Sequence, residues 1–304
     1  MNLLIVNYHY FGDQKFNSGI YPTSAAVFVK QLETIALNNY TFISQLELIE
    51  ILNANVYPDG NYCLITFDDG LKQQFDAFML LKGKGIPAVF YVPTKPIAEE
   101  CVLDVHKLHW IRTKVDDLKM LELLKQHKID TNLTENERQG AKAQYKYDEF
   151  AAANLKYLLN FKLSNEIKSY FLNSVFVQEF GSESKFSKEF YFDESELLQL
   201  SDAGCLGSHG YSHSPLLQME EPVEDILKSK DHLYKICGVP PCSFSYPYGS
   251  SSAVDANIAE MTKNAGFKFG LTMWRGINDN LDMQNNRYLL KRIDTNDLDK
   301  FINK

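Results

Sequence analysis

The chain has 304 residues, of which 45% are apolar and 23% are charged, and its formal net charge is −8. This composition is typical of a soluble globular protein, and the acidic balance argues against a nucleic-acid backbone as the partner. No apolar stretch approaches the ~18 residues of a membrane-spanning helix, and no basic segment with a cleavage site begins the chain. We therefore expect a cytoplasmic protein without a transmembrane segment that folds as one domain over residues 1–304.

Seven short apolar runs recur along the chain and lack the polar alternation of half-exposed strands. Such runs are typical of strands that are buried on both faces, as in parallel sheets covered by helices. They span residues 3–6, 63–67, 88–92, 205–207, 243–246, 267–273 and 288–293.

Helical patterns separate several of these runs. Residues 72–82 carry apolar side chains at helical spacing, and an acidic turn at 193–196 begins a helix that Gly204 ends. Residues 254–264 form a third helical segment, which Gly266 ends. The alternation of strand and helix predicts an α/β sheet or barrel.

The region of approximately residues 97–190 interrupts this alternation. It contains long helical patterns at 115–127 and 135–159 and no convincing strand. We interpret it as a helical insertion that follows the strand at 88–92. The insertion either adds bulk or forms a lid or wall that selects the substrate.

Reactive side chains follow most of the predicted strands, at the point where each strand ends. In parallel barrels the site is assembled from the carboxyl ends of the strands, so these side chains should converge. In chain order they are His9, Asp68 and Asp69, His209, the run Tyr246-Pro247-Tyr248-Gly249, Trp274 and Arg292.

Two of these groups predict a metal centre. Asp68 and Asp69 place two charges at the mouth of a buried strand, where a cation or hydrogen bonds must offset the cost of desolvation. His209 and His213 have the spacing that puts two rings on one side of a helical turn, as in zinc-binding helices. Together the four side chains supply three ligands for a divalent metal and one spare base.

The other histidines and the cysteines are assigned to no site. His106 and His109 lie in the insertion beside Trp110, where a packed helix face is the expected environment, and His127 and His232 have still less context. The five cysteines are irregularly spaced, which favours free thiols over a disulfide framework.

The sequence Thr-Phe-Asp-Asp-Gly at 66–70 and the segment 208–216 resemble the first two motifs of polysaccharide deacetylases of the NodB-homology type, carbohydrate esterase family four. The resemblance covers residues 1–96 and 190–294 and implies a distorted parallel (β/α)7 barrel that is TIM-barrel-like. It implies that Asp68 is the general base. It implies that Asp69, His209 and His213 bind a divalent metal, usually zinc, and that the backbone N–H of Tyr248 stabilises an oxyanion.

The sequence departs from the family pattern in three places. Ser245 stands where the third motif usually has an arginine that steadies the base, in a Phe-x-Tyr-Pro-Tyr-Gly version of that motif. Gly210 replaces the usual Ser or Thr of the second motif, which removes a hydroxyl that could tether the loop. The late Leu-x-His motif, whose histidine is the general acid, is not visible around Arg292, and His9 is our candidate for the acid instead.

These observations predict a metal-dependent deacetylase for an N-acetylated sugar or glycan precursor of polysaccharide, capsule or lipopolysaccharide synthesis. Tyr246, Pro247, Trp274 and Arg292 are candidates for substrate binding, since aromatic faces pack against sugar rings. Two alternatives stay open. One is a deformylase or another amide hydrolase of the same fold, and the other is a catalytically inactive carbohydrate-binding barrel.

Overall fold

The computed structural model describes residues 1–144 and 149–302. These residues divide into two compact units. The first unit consists of Met1–Gln14, Pro22–Cys101 and the described residues from Ser187 onward, and the second consists of Lys15–Tyr21 and Val102–Phe186.

The first unit is built on a parallel sheet. In the described part of the chain the sheet has eight strands: β1 (Asn2–Tyr8), β2 (Tyr40–Phe42), β3 (Asn61–Asp68), β4 (Ala88–Val92), β5 (Leu206–Ser208), β6 (Ser243–Ser245), β7 (Phe269–Arg275) and β8 (Leu290–Asp294). Strands β1, β3, β4, β5, β6, β7 and β8 form a closed ring, because β1 pairs with both β3 and β8. The prediction of a distorted parallel (β/α)7 barrel is confirmed.

Strand β2 is the one strand that the apolar runs did not predict. It has three residues, all partly or fully exposed. It lies beside the first half of β3, while β4 pairs with the second half of the same edge. The barrel is therefore distorted where β3 exchanges one neighbour for another.

Helices cover the outside of the sheet and build the second unit. They are α1 (Ala25–Leu37), α2 (Gln45–Ala54), α3 (Gln74–Lys84), α4 (Lys95–Glu99), α5 (Asp104–Arg112), α6 (Asp117–Gln126), α7 (Glu135–Gln144), α8 (Phe150–Tyr157), α9 (Asn165–Phe180), α10 (Glu183–Phe190), α11 (Glu194–Asp202), α12 (Pro222–Cys237), α13 (Ala256–Asn264), α14 (Asn280–Asn285) and α15 (Leu298–Ile302). The helices predicted at 72–82, 193–204 and 254–264 correspond to α3, α11 and α13. In the described residues no helix is long and apolar enough to span a bilayer.

The two faces of each barrel strand face different parts of the core, because successive side chains on a strand point in opposite directions. Leu4, Val6 and Phe67 belong to the layer that packs against the surrounding helices. Leu3 and Ile5 belong to a second apolar cluster, formed by the alternate positions of the strands. Towards the carboxyl ends of the strands these alternate positions become polar, which places the polar residues where the predicted site lies.

The second unit contains only helices and loops among its described residues. The helix predicted at 115–127 is α6, and the pattern at 135–159 corresponds to α7, α8 and a short π-helical turn at Leu158–Lys162. The central part of that predicted helix, residues 145–148, lies outside the described residues. The sequence did not predict that residues 15–21 join this unit, where Phe16 packs edge-on against Trp110 at a centroid distance of 5.4 Å.

Candidate active site

The first part of the site is the turn that follows β3. Asp68 is the last residue of this strand, and its carboxylate is buried in the barrel. Asp69 and Gly70 both have left-handed backbone conformations, with φ of 85° and 62°. This conformation is unfavourable for Asp69 and is typical of functional sites that the surrounding structure holds in place. Gly70 is required sterically, since a Cβ there would lie 2.9 Å from a methyl group of Val92.

The second part is the segment between His209 and His213, which follows β5. The sequence predicted that both rings lie on a helical turn, and this prediction is wrong: the segment is an irregular loop. Gly210 and His213 have φ of 73° and 57°, which breaks the helical path. The two rings nevertheless lie together, with a centroid distance of 4.9 Å.

The two parts meet at the mouth of the barrel. Oδ1 of Asp69 lies 3.1 Å from Nε2 of His213 and 3.6 Å from Nε2 of His209. All three side chains are buried, and one donor atom from each lies within 4.8 Å of the others. In residues 1–144 and 149–302 no other group of Asp, Glu, His and Cys side chains has this arrangement.

His209 is held in the form that binds metals. Its Nδ1 lies 2.7 Å from the carbonyl oxygen of Ser245, and a carbonyl only accepts, so Nδ1 carries the proton and Nε2, 3.6 Å from Oδ1 of Asp69, keeps its lone pair for a cation. Burial lowers the pKa of His209 to about 4, so the ring is neutral at neutral pH. One carboxylate and two imidazoles, one of them oriented by a backbone carbonyl, fit a divalent cation of the zinc type.

Asp68 belongs to a separate, hydrogen-bonded arrangement. Nη1 and Nη2 of Arg292 lie 2.9 and 2.8 Å from its two carboxylate oxygens, and the Asn7 amide and the Ser245 hydroxyl donate to Oδ2 at 3.2 and 3.1 Å. Burial raises the pKa of Asp68, but the charge of Arg292, with smaller contributions from His209 and His9, outweighs it and lowers the pKa to about 2. Asp68 is therefore an ionised proton acceptor at neutral pH.

Arg292 has a different position from the one expected of a substrate ligand. Its side chain is completely buried, with Nε donating to the carbonyl of Thr272 at 2.9 Å and Nη2 donating to Ser245 at 2.9 Å. The guanidinium therefore lies behind Asp68 rather than at the surface of the site. It lies next to Ser245, the residue that stands in the sequence where the family motif usually has an arginine.

Tyr246 also differs from the prediction. It is completely buried, and its ring packs beside Phe244 in an apolar cluster while its hydroxyl donates to the carbonyl of Tyr288 at 2.8 Å. Ser243 and Ser245 point into the barrel, so the alternation of the strand turns Phe244 and Tyr246 outwards. A substrate-binding role for Tyr246 does not fit this position. Pro247 is buried as well, at the base of the following turn.

Tyr248, Trp274 and His9 remain at the barrel mouth. Tyr248 is 50% exposed with φ of 60°, and its ring centroid lies 5.2 Å from that of His213. Trp274 is partly exposed, and its buried indole N–H has no hydrogen-bond partner among the described residues. His9 directly follows β1, and its carbonyl accepts a hydrogen bond from Gln74 at 2.8 Å.

Sequence reasoning missed three residues that position the site. Asn7 contacts both Asp68 and Arg292, and Gln74 donates to the carbonyl of Asp68 at 2.5 Å. Asp225 accepts hydrogen bonds from the loop between the two histidines. The only sequence signal for Asn7 was its place at the polar end of the first apolar run. Gln74 and Asp225 lie on helices, and no motif near either of them in the sequence indicates a role in the site.

The sequence profile named Polysaccharide deacetylase matches residues 55–270, which is more than half of the chain. The chain belongs to the polysaccharide deacetylase family. It is therefore a hydrolase of the class that cleaves non-peptide carbon–nitrogen bonds, and this prediction is confirmed. A comparison with curated proteins finds no match.

Solved structures of deacetylases share the fold. The Streptococcus pyogenes deacetylase PplD in complex with acetate aligns with a TM-score of 0.59 and 15% identity over 97% of this chain and 92% of that one. IcaB from Ammonifex degensii aligns with a TM-score of 0.56 and 16% identity over 96% of this chain and 91% of that one. A de-N-acetylase from Aggregatibacter actinomycetemcomitans aligns with a TM-score of 0.56 and 14% identity over 97% of this chain and 96% of that one.

Proposed function

We propose that this polysaccharide deacetylase is a metal-dependent enzyme that removes the acetyl group from an N-acetylated amino sugar in a glycan or glycan precursor. The observation that carries the proposal is the convergence of Asp69, His209 and His213, with an ionised and unligated Asp68 beside them.

Asp69, His209 and His213 would hold the cation. A divalent cation bound there would supply Lewis acidity towards a water molecule and an amide carbonyl. The protein prepares the donors: burial keeps His209 neutral, and the Ser245 carbonyl fixes the orientation of its ring. Zinc is our proposal for the metal, because it prefers nitrogen and carboxylate donors in this number.

Asp68 would accept the proton from water as the oxygen attacks the carbonyl carbon of the acetamide. Arg292 keeps the carboxylate ionised and, through two parallel hydrogen bonds, fixes the plane of the group. Nε2 of His209 lies 3.9 Å from Oδ2 of Asp68, so the base and the proposed ligands border the same small volume. This proximity is what general-base catalysis requires.

The amine must leave as a neutral molecule, which requires an acid. We propose His9 for this role, because it follows β1 at the barrel mouth and is near enough for its charge to influence Asp68. We propose that the backbone N–H of Tyr248, whose ring centroid lies 5.2 Å from that of His213, would donate to the oxyanion.

A sugar substrate accounts for the aromatic side chains that remain accessible. Tyr248 is 50% exposed beside His213 and Trp274 is partly exposed, so each can present part of an aromatic ring to a sugar. PplD was solved with acetate, the product that such a reaction would release. That the sugar is a cytoplasmic precursor stays a prediction from the sequence.

The test is a measurement of acetate release and bound metal on the same protein. Bound metal is first removed from the protein with a chelator. The metal-free protein is then incubated with N-acetylated oligosaccharides and sugar nucleotides, and with their N-formylated analogues, with and without Zn²⁺, and acetate and formate are assayed separately. Zinc-dependent acetate release supports the proposal. Formate release from N-formylated analogues alone would favour the deformylase. The absence of both activities in a zinc-loaded protein would favour an inactive carbohydrate-binding barrel.

A further inference from the structure

The backbone amides in the middle of the loop between His209 and His213 are held by one carboxylate from another element, while the carbonyls of Gly210 and Tyr211 accept hydrogen bonds from the amides of Thr94 and Lys95. Asp225, on α12, is 5% exposed, and its two oxygens accept hydrogen bonds from the backbone N–H groups of Tyr211 and Ser212 at 2.7 and 2.9 Å. Both amides belong to residues that separate the two histidines. The proposed function assigns no role to Asp225.

The space beside Gly210 explains why a carboxylate performs this task. A Cβ on Gly210 would lie 2.8 Å from Oδ1 of Asp225, closer than real contacts of this kind. Asp225 therefore occupies the volume in which a larger residue at position 210 would place its side chain. The chain lacks the hydroxyl that resemblance to the family leads one to expect there, and Asp225 supplies the tether from another element.

We propose that Asp225 is a positioning residue for the metal centre, which holds the His209–His213 loop in the shape that brings both imidazoles to Asp69. This inference rests on the proposed function, since it concerns the same cation site. Asp225 binds neither the cation nor the substrate, and it acts through the backbone of the loop.

Three physical reasons indicate that removing the Asp225 carboxylate should strongly disturb the His209–His213 loop. The loop is irregular, so its amides have no helical carbonyls as partners, and buried amides require an acceptor. Hydrogen bonds from two amides to a buried carboxylate are charge-assisted and stronger than bonds to a neutral acceptor. His209 has separate anchors, because its N–H donates to the carbonyl of Val92 at 3.0 Å and its Nδ1 contacts Ser245. Asp225 therefore holds the amide side of the path from His209 to His213, and Thr94 and Lys95 hold the carbonyl side.

The first experiment measures metal affinity in variants of Asp225. Zn²⁺ is titrated into the chelated full chain against a competing chelator for wild type, Asp225→Ala and Asp225→Asn. We expect the dissociation constant of Asp225→Ala to rise about 10- to 100-fold, the usual loss when a group that orients a ligand is removed. Asp225→Asn retains one acceptor and should give a smaller rise. Asp231→Asn, an exposed carboxylate on the same helix, is the matched control.

A readout without metal separates this inference from the proposed function. Amide hydrogen exchange at Tyr211 and Ser212 in the chelated protein should accelerate in Asp225→Ala, with no acceleration in the control. If the wild type binds no Zn²⁺, the metal site and this inference both fail. If the wild type and Asp225→Ala bind Zn²⁺ equally and their two amides exchange at the same rate, this inference alone is overturned.

A second pair of variants tests the same point without changing Asp225. Gly210 and Gly238 have nearly the same φ, 73° and 74°, but a Cβ on Gly238 would contact nothing within 4 Å. Gly210→Ala should therefore weaken Zn²⁺ binding by displacing Asp225, whereas Gly238→Ala imposes only the backbone strain. Equal Zn²⁺ affinities in these two variants would overturn the inference. This test remains available even if Asp225→Ala does not fold.

Discussion

Arg292 on β8 binds both carboxylate oxygens of Asp68 on β3, at 2.9 and 2.8 Å, with both side chains buried. The third motif of the family usually supplies such an arginine from the position of Ser245. In this chain the guanidinium arrives from the last strand of the barrel and donates to the Ser245 hydroxyl as well. The charge is thus kept while its place in the sequence has changed.

This relationship predicts that the arginine can be moved. Arg292→Ser should lower kcat about 100-fold, because Asp68 loses its charge partner and its orientation, and the KM should change little. The double variant Ser245→Arg/Arg292→Ser restores a guanidinium within reach of Asp68 and should recover part of the kcat. Steady-state kinetics of both variants check this, with circular dichroism to verify folding. No recovery in a folded double variant would argue that Arg292 acts through its other bonds.

Asp68→Asn should lose on the order of 100-fold or more in turnover while it binds metal normally. The amide cannot accept the proton, but its shape permits the hydrogen bonds from Asn7 and Ser245 to remain in part. Deacetylation rates and elemental analysis of the same preparation check both halves of the prediction. A variant that works at the wild-type rate would remove Asp68 from the mechanism.

Asp69→Ala and His213→Ala should each lower the zinc content of the purified protein, since three donors are the minimum for a tight site. His232→Ala is the control, because this histidine lies on α12 and belongs to no donor cluster among the described residues. Elemental analysis and chelator competition give the occupancy. Full occupancy in either site variant would contradict the ligand set.

His9→Gln should affect leaving groups unequally if His9 is the acid. Loss of a general acid should slow amide cleavage on the order of 100-fold, because an amine leaves poorly without a proton. Hydrolysis of 4-nitrophenyl acetate should be much less affected, since nitrophenolate leaves unprotonated. An equal loss with both substrates would indicate that His9 orients the site and does not transfer the proton.

Asp193 gives a prediction about acid stability. It caps α11, accepts from the Glu196 amide at 3.0 Å and pairs with Lys72 at 2.9 Å. Burial raises its pKa, but these partners outweigh burial and lower the pKa from its ordinary 3.8 to about 2. Its contribution to stability is therefore present above pH 4 and lost as the pH falls towards 2.

The corresponding variant is Asp193→Asn, which keeps a capping side chain without the charge. Since the Asp193 side chain is 49% exposed, solvent screening limits the difference to less than about 1 kcal/mol. Urea unfolding at several pH values should show that the free energy of unfolding falls less between pH 4 and 2 for the variant than for the wild type. Asp59→Asn, in an exposed loop, controls for the removal of a carboxylate.

The apolar runs were sufficient to predict an α/β sheet or barrel, because most of its strands are buried on both faces, and the family resemblance implied the seven-stranded barrel. The sequence also brought Asp69, His209 and His213 together, since the carboxyl ends of parallel strands share one side of a barrel. It failed for the backbone of the histidine loop, because i, i+4 spacing does not distinguish a helical turn from a loop that a distant carboxylate holds. Asp225 is such a carboxylate, and nothing near it in the sequence marks it.

The roles of Arg292 and Tyr246 depend on which side of a strand each residue faces. Tyr246 was within reach of prediction: Ser243 and Ser245 share one face of β6, so Tyr246 has to share the other with Phe244. The role of Arg292 could not be predicted in this way. Arg292 on β8 meets Asp68 on β3 only because β1 pairs with both strands, and the sequence does not specify that pairing.

The ring closes where Val6 pairs with Ile293 and Asn7 with Asp294, next to Arg292. Because β3 precedes β8 by more than 200 residues, Asp68 leaves the ribosome long before Arg292, its charge partner, has been synthesised. Until β8 docks, Asp68 cannot be buried in its charged form without a large cost in solvation. Completion of folding and acquisition of catalytic competence should consequently be a single event for the nascent chain.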